Sequence, residues 1–171
     1  MATMGNDLII LNFKLYDLLL KIKLIDNPGQ ERYRPIVEKL YKNANSIILI
    51  YNITRKKSFE ECKSYFKEKI KENCERNVKI ILIGNKNDLE EEREVTPEEG
   101  YEFAVENNFL FMETSCLNNE NIYEAFEKII VEADTTKIWE TIKNTKNIDK
   151  KECQKFWMLF HLNKYINFKK S

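Results

Sequence analysis

Val78-Lys79-Ile80-Ile81-Leu82-Ile83-Gly84 runs directly into Asn85-Lys86-Asn87-Asp88. A short, continuous run of β-branched and aliphatic residues is the pattern of a strand covered on both faces by helices. Ser46 to Ile53 (SIILIYNI) has the same character. Between them, Ser58 to Cys74 carries Phe59, Cys62, Tyr65, Phe66, Lys69 and Ile70 at spacings of three and four, which predicts a helix. A second unit follows. Thr96-Pro97-Glu98-Glu99 supplies an N-cap, a proline at the first helical position and a glutamate at the third, opening a helix through about Asn107. Phe109 to Ser115 (FLFMETS) reads as a strand, and Asn121 to Ala133 as a helix with Ile122, Ala125, Phe126, Ile129 and Ile130 on one stripe. The alternation predicts an α/β fold, a doubly wound and mostly parallel open sheet, in which ligands bind beyond the carboxyl ends of the strands.

Outward from this centre the pattern weakens. Residues 8–26 contain no glycine or proline that would make a tight hairpin, so only Leu20 to Asp26 is expected as a strand. Residues 134–155 turn polar and rich in Lys and Asn, and Phe156 to Phe168 (FWMLFHLNKYINF) is densely apolar. The expected division is a domain over 1–134 and an extension over 135–171 carrying a short amphipathic helix packed on the domain, with a weak interfacial membrane contact through 156–168 as the sharper alternative. Thirteen residues cannot span a bilayer.

Composition narrows the class. The chain has 171 residues, 43% hydrophobic and 33% charged, with 28 basic against 28 acidic side chains, which suits one soluble domain with one core. Zero net charge argues against broad attraction to nucleic acid. Cys62, Cys74, Cys116 and Cys153 form no C-x-x-C pair, so free thiols in a reducing compartment are expected rather than zinc ligands or disulfides. The start, MATMGNDLII, has no basic n-region or small-residue cleavage site, and the expected location is cytoplasmic. His161 has no ligand partner at metal spacing, and the run Glu90-Glu91-Glu92-Arg93-Glu94 reads as a solvated loop.

Three clusters follow three expected strands. Asp26-Asn27-Pro28-Gly29-Gln30-Glu31-Arg32 comes after Leu20 to Ile25; an isolated Asn-Pro-Gly is more often a plain turn. Asn85-Lys86-Asn87-Asp88 closes the next strand. An Asp two residues past a Lys suits guanine, because one carboxylate accepts from both N1 and N2 donors while the Lys stem lies along the ring. A polar loop with an Asx turn has comparable weight for that tetrapeptide alone. Glu113-Thr114-Ser115-Cys116-Leu117 is the third cluster, and by itself only a strand end.

In this order and at these strand ends, the clusters resemble the small GTPases: DNPGQER is similar to the DxxGQE switch, NKND to the NKxD guanine motif, and ETSCL to the ETSAK base loop. RYRP, LYKNA, IYNIT and REVTPEEGYEFA point to the Rab branch, and the resemblance runs from about Leu11 to Ala133. It implies a P-loop-NTPase-like fold and a guanine-nucleotide switch of vesicle traffic, peripheral to endomembranes, that binds GTP and GDP with Mg and hydrolyses GTP. By that resemblance Asp26 is the indirect carboxylate partner of Mg, the Gly29 N–H contacts the γ-phosphate, and Gln30 orients the attacking water. Asn85 and Asp88 hold the base, Lys86 stacks on it, and Ser115, Cys116 and Leu117 form the supporting loop. Residues 30–45 would face Rab-type effectors and regulators.

The departures are equally definite. A P-loop needs G-x-x-x-x-G-K-[ST], since only a glycine-rich backbone curls its N–H groups around a phosphate. The four glycines, Gly5, Gly29, Gly84 and Gly100, are nowhere five apart. If Leu11-Asn12-Phe13-Lys14 stands for the family's xDFK strand, its Mg-binding switch threonine falls on Leu8. The family's first strand also sits mid-sheet, between the strands matching Leu20 to Ile25 and Ser46 to Ile53. Without it the sheet would be split, unless Asn6 to Lys14 fills the slot. The expectation is therefore a Rab-like GTPase incomplete at its N-terminus, with weak or no nucleotide binding and hydrolysis. Its rivals are a pseudo-GTPase interaction module and a fragment of a longer GTPase. The last residues, Asn167-Phe168-Lys169-Lys170-Ser171, contain no cysteine, so no prenyl anchor is expected.

Overall fold

The computed structural model describes residues 7–15, 18–26, 44–74 and 78–133. Backbone contacts group the chain into two units, Met1–Ile129 and Ile130–Ser171. Everything described below belongs to the first, apart from the last turn of its final helix.

Strands β1 (Asp7–Leu15) and β2 (Leu18–Asp26) pair antiparallel along their whole length, Asp7 opposite Asp26 and Leu15 opposite Leu18. This corrects two expectations. A hairpin with a two-residue connection forms where no glycine or proline marks one, and Asn6 to Lys14 does not fill a slot beside Ser46 to Ile53, because β1 pairs with β2 in a two-stranded sheet and is not hydrogen-bonded to β3. The physical reason lies in the register. Ile9 faces Leu24 and Leu11 faces Ile22, so apolar cross-strand pairs gather on one face. A one-residue slip would turn them to the other face, so these pairs fix the register without help from turn chemistry.

Strands β3 (Ser46–Asn52), β4 (Lys79–Asn85) and β5 (Leu110–Thr114) form a separate parallel sheet in the order β3-β4-β5. Among the described residues β2 and β3 are not hydrogen-bonded to each other, which is the split expected where the family places its first strand. Helix α1 (Lys56–Tyr65) joins β3 to β4 and continues through a π-helical turn, Phe66–Ile70, and a last α turn, Lys71–Asn73. The single helix expected from 58 to 74 is thus broken in pitch but continuous in direction. Helix α2 (Pro97–Glu106) starts at the expected capping box: the Glu99 N–H donates to Thr96 Oγ1 at 3.2 Å, and the Thr96 N–H to Glu99 Oε2 at 3.0 Å. Helix α3 (Ile122–Ala133) closes the described chain.

β4 is buried from Ile80 to Gly84, as its apolar run requires. One core layer gathers Ile47, Leu49 and Tyr51 of β3 and Ile80 and Leu82 of β4 with Phe59, Phe66, Phe103 and Ala104 of the helices. Strand alternation puts Ile81 and Ile83 on the opposite face, also buried, and α3 buries Ala125 and Ile129. Tyr51 is held between two glycines. A Cβ on Gly84 would stand 2.8 Å from the Tyr51 hydroxyl, and one on Gly100 would meet that hydroxyl and lie 2.7 Å from the Phe111 ring. Glycine is needed at both places for close approach. The Tyr51 hydroxyl is buried with no hydrogen-bond partner among the described residues.

The outer edge of β3 is partly capped by α1. The Ile53 N–H donates to Asn85 O, so the odd-numbered residues of β3 turn their backbone groups to β4 and the even-numbered ones turn theirs outward. There the Asn52 N–H donates to Ser58 Oγ at 3.0 Å, and the Cys62 thiol donates to Ile50 O at 3.2 Å. No helix among the described residues is long and apolar enough to cross a membrane.

Candidate functional site

The carboxyl ends of β4 and β5 lie side by side, Asn85 registering with Thr114. This brings Asn85, Lys86, Asp88, Ser115, Cys116 and Leu117 to one rim of the sheet. Asn85 works as a brace, its Oδ1 accepting from Thr114 Oγ1 at 3.2 Å and from the Cys116 N–H at 3.3 Å. A second tie runs from the Asn87 N–H to Thr114 O at 3.1 Å. Ser115, fully buried, donates its hydroxyl to Asp88 Oδ1 through a short hydrogen bond and accepts the Asn118 N–H at 3.0 Å. Asp88 therefore stands with one oxygen fixed and its carboxylate oriented, an acceptor positioned before any ligand arrives.

The backbone adopts unusual dihedrals at the same rim. Lys86 has φ 73°, a left-handed conformation rare for a residue with a long side chain, and its carbonyl accepts the Leu89 N–H at 3.0 Å. Its side chain stands exposed beside the β4–β5 rim. Cys116 is exposed and Leu117 is 81% exposed, so the third loop offers backbone groups and an apolar side chain to solvent. The Asn87 side chain is directed inward, its Oδ1 buried without a partner among the described residues.

A clamp not expected from the sequence holds the two loops together. Arg93 Nη1 and Nη2 donate to Glu113 Oε1 and Oε2 at 2.7 and 2.9 Å, Nη1 also reaches Val95 O, and Nε and Nη2 reach Glu90. Hydrogen bonds to Glu113, and then to Glu90, raise the Arg93 pKa further above its ordinary value, so it stays charged. The run Glu90 to Glu94 is thus not simply a solvated loop: its arginine is largely buried and tied to Glu113 of β5. No feature of the run itself signals a partner twenty residues on. Asn121 adds a further hold, its side-chain amide donating to Glu113 O at 2.9 Å.

Asp26 ends β2 with its side chain exposed. Among the described residues no group of three or more His, Cys, Asp or Glu comes together to hold a metal ion. Gly29, Gln30 and residues 30–43 lie outside the described residues, as does Phe156 to Phe168.

The sequence profile of the Ras family matches residues 1–135. The chain is 37% identical over 131 residues to "GTP-binding protein ypt3" of Schizosaccharomyces pombe, covering 77% of this chain and 61% of that protein. It is 37% identical over 129 residues to "Ras-related protein Rab-11B" of Dictyostelium discoideum, covering 75% and 58%. With "Ras-related protein Rab-17" of Mus musculus it shares 42% over 113 residues, covering 66% and 53%. The chain belongs to the Ras family and is Rab-like in sequence. It spans somewhat over half the length of these relatives, between 53% and 61%.

Proposed function

We propose that this chain is a guanine-recognition module of a Rab-type switch in vesicle traffic, able to select guanine but holding nucleotide only weakly. The observation that supports it is the pre-set rim at the ends of β4 and β5, where Ser115 fixes Asp88 and Asn85 braces the adjoining loop. That donor and acceptor set fits a guanine edge: the free oxygen of Asp88 would accept from the N1–H and the exocyclic amino group, the Asn85 side-chain N–H would donate to N7, and Lys86 would cover the ring face. GTP, when bound, brings its own Mg-chelating phosphates. The 171 residues supply no G-x-x-x-x-G-K-[ST] to neutralise them. Asp26 is proposed as an indirect partner of Mg, and Gln30 as the residue that orients water.

The free energies set the expected affinity. A charge-assisted Asp88 contact and the Asn85 bonds contribute about 1.5 to 3 kcal/mol each, and Lys86 stacking about 1 more. Ordering and lost translational freedom cost at least about 4 kcal/mol, leaving at most about 3 kcal/mol, a dissociation constant of several millimolar or weaker. Residues 30–45 are proposed to meet effectors and regulators, and the location is proposed to be cytoplasmic and peripheral to endomembranes.

Calorimetric titration with GTP, GDP and GMP in magnesium tests the reading. Base-held binding gives similar affinity for all three, in the range of several millimolar or weaker, none for AMP, and loss on Asp88→Ala. Micromolar or tighter GTP affinity with GMP far weaker would show that another segment holds the phosphates. The pseudo-GTPase reading draws support from the same missing motif and is separated by binding: an interaction module of that kind shows no guanine-selective binding even at saturating millimolar nucleotide.

A further inference from the structure

The outer face of α2 has no part in the site above. We propose that it docks a cationic amphipathic helical segment of another protein, with the Glu98–Glu102–Glu106 row taking its Lys or Arg side chains and Tyr101 and Val105 its apolar ones.

Helical geometry separates the two faces of α2. Gly100, Phe103 and Ala104 are buried, while Glu98, Tyr101, Glu102, Val105 and Glu106 stand exposed on the opposite side. Glu98, Glu102 and Glu106 follow one another four residues apart, so their carboxylates form a single row, and Tyr101 and Val105 form a second row beside it. Tyr101 is 59% exposed and Val105 57%. The Tyr101 ring also meets Phe111 edge-on at 6.4 Å, so it is anchored on the core rather than loose in solvent. An anchored aromatic with most of its surface open is a favourable contact element at an interface.

Charge selects the partner. Residues 90–106 hold eight glutamates and one arginine, although the chain as a whole balances 28 basic against 28 acidic side chains. Neighbouring glutamates are engaged: Glu99 pairs with Lys56, Glu94 Oε2 accepts the Lys56 N–H, and Glu90 pairs with Arg93. Glu98, Glu102 and Glu106 have no ion-pair partner among the described residues. Like charges four apart on a helix repel, and a face kept only for solubility mixes the two signs. The same field disfavours nucleic acid, anionic lipid and a second copy of this face. Lysines or arginines four apart along a partner helix match the carboxylate row, with its apolar stripe against Tyr101 and Val105.

The test is fluorescence anisotropy of the full chain with a labelled peptide of Leu, Ala and Lys, lysines four apart and about 18 residues long so that it is helical. Saturable binding is expected, weakened about tenfold or more both by E98K/E102K and by Tyr101→Ser. All three positions are exposed, and circular dichroism verifies that each variant folds. Absence of binding overturns the proposal. So does a Tyr101→Ser chain that binds as well as the parent, or an E91K/E92K chain, which carries the same charge change off α2, that loses as much affinity as E98K/E102K.

Discussion

Arg93 and Glu113 meet as a two-pronged pair, guanidinium to carboxylate at 2.7 and 2.9 Å, with their side chains only 11% and 17% exposed. The pair spans the loop that follows Asp88 and the strand that precedes Ser115, so it ties together the two halves of the rim at the ends of β4 and β5. An exposed ion pair would contribute little, but one this far from water leaves Glu113 uncompensated when Arg93 is cut, and leaves Arg93 to Glu90 alone when Glu113 is cut. Arg93→Ala and Glu113→Ala should each cost about 2 to 4 kcal/mol in urea unfolding. Their double-mutant cycle should return a coupling above about 1.5 kcal/mol, and additive effects would show that the contact carries no energy.

Tyr51 and the glycines that flank it make a second prediction. Gly100 lies inside α2, where alanine would ordinarily favour the helix by about 1 kcal/mol. A Cβ there meets the Tyr51 hydroxyl and Phe111, and overpacking of this kind costs about 1 to 3 kcal/mol, so Gly100→Ala should destabilise. Tyr51→Phe removes a buried hydroxyl that has no partner among the described residues; on its own it should be neutral or stabilising, and it should recover part of the loss in Gly100→Ala. Thermal midpoints of the four chains decide the point.

The thiols should separate by reactivity. Cys116 is exposed on the third loop, whereas burial pushes Cys62 up to about 11 and raises Cys74 as well. Iodoacetamide at neutral pH should therefore modify Cys116 well before Cys62 or Cys74, as peptide mass mapping would show. Guanosine monophosphate at several times its dissociation constant should slow the Cys116 reaction. Equal protection by adenosine monophosphate would mean that the rim does not select guanine.

Acid and alkali should act through different residues. Glu99 is held below the ordinary carboxylate value, first by the Lys56 ammonium and then by the Thr96 N–H. Its folded pKa is depressed, so its contribution is present above the ordinary value of 4.5 and fades as pH falls below it. Glu99→Gln should flatten that part of the acid limb. Cys62 is the opposite case, its folded pKa raised from 9.0 to about 11 by burial and then by Glu61. Its contribution is complete below pH 9 and lost as pH climbs toward 11. A Cys62→Val chain should keep its unfolding midpoint over that interval while the parent loses stability.

The central strands and α2 were legible because their signals are local: an uninterrupted apolar run, or a capping box closed within four residues. The motif residues Asn85, Asp88 and Ser115 could be placed at one rim because parallel strands end on the same side of a sheet. The β1–β2 hairpin escaped, since its register depends on pairs such as Ile9 with Leu24 that become neighbours only after the chain turns back. The π-helical turn at Phe66–Ile70 escaped because α and π pitch both leave Phe66 and Ile70 inward. Arg93 escaped for a third reason. Its neighbours in sequence are glutamates, and nothing within the run distinguishes the one side chain that folds inward.

The alternation of backbone groups along β3 fixes how its amides should trade hydrogen for deuterium. Those of Ile47, Leu49 and Tyr51 point to β4 and should be slow, released only when the three-stranded sheet opens. Those of Ile48 and Ile50 point to the part of the outer edge that no described residue caps and should be fast. Asn52 points the same way, yet Ser58 holds its N–H, so it should be slow in the parent and fast in Ser58→Ala. One strand would thus report two kinds of opening, and a longer chain that supplied a strand along that edge would be recognised by the slowing of Ile48 and Ile50 alone.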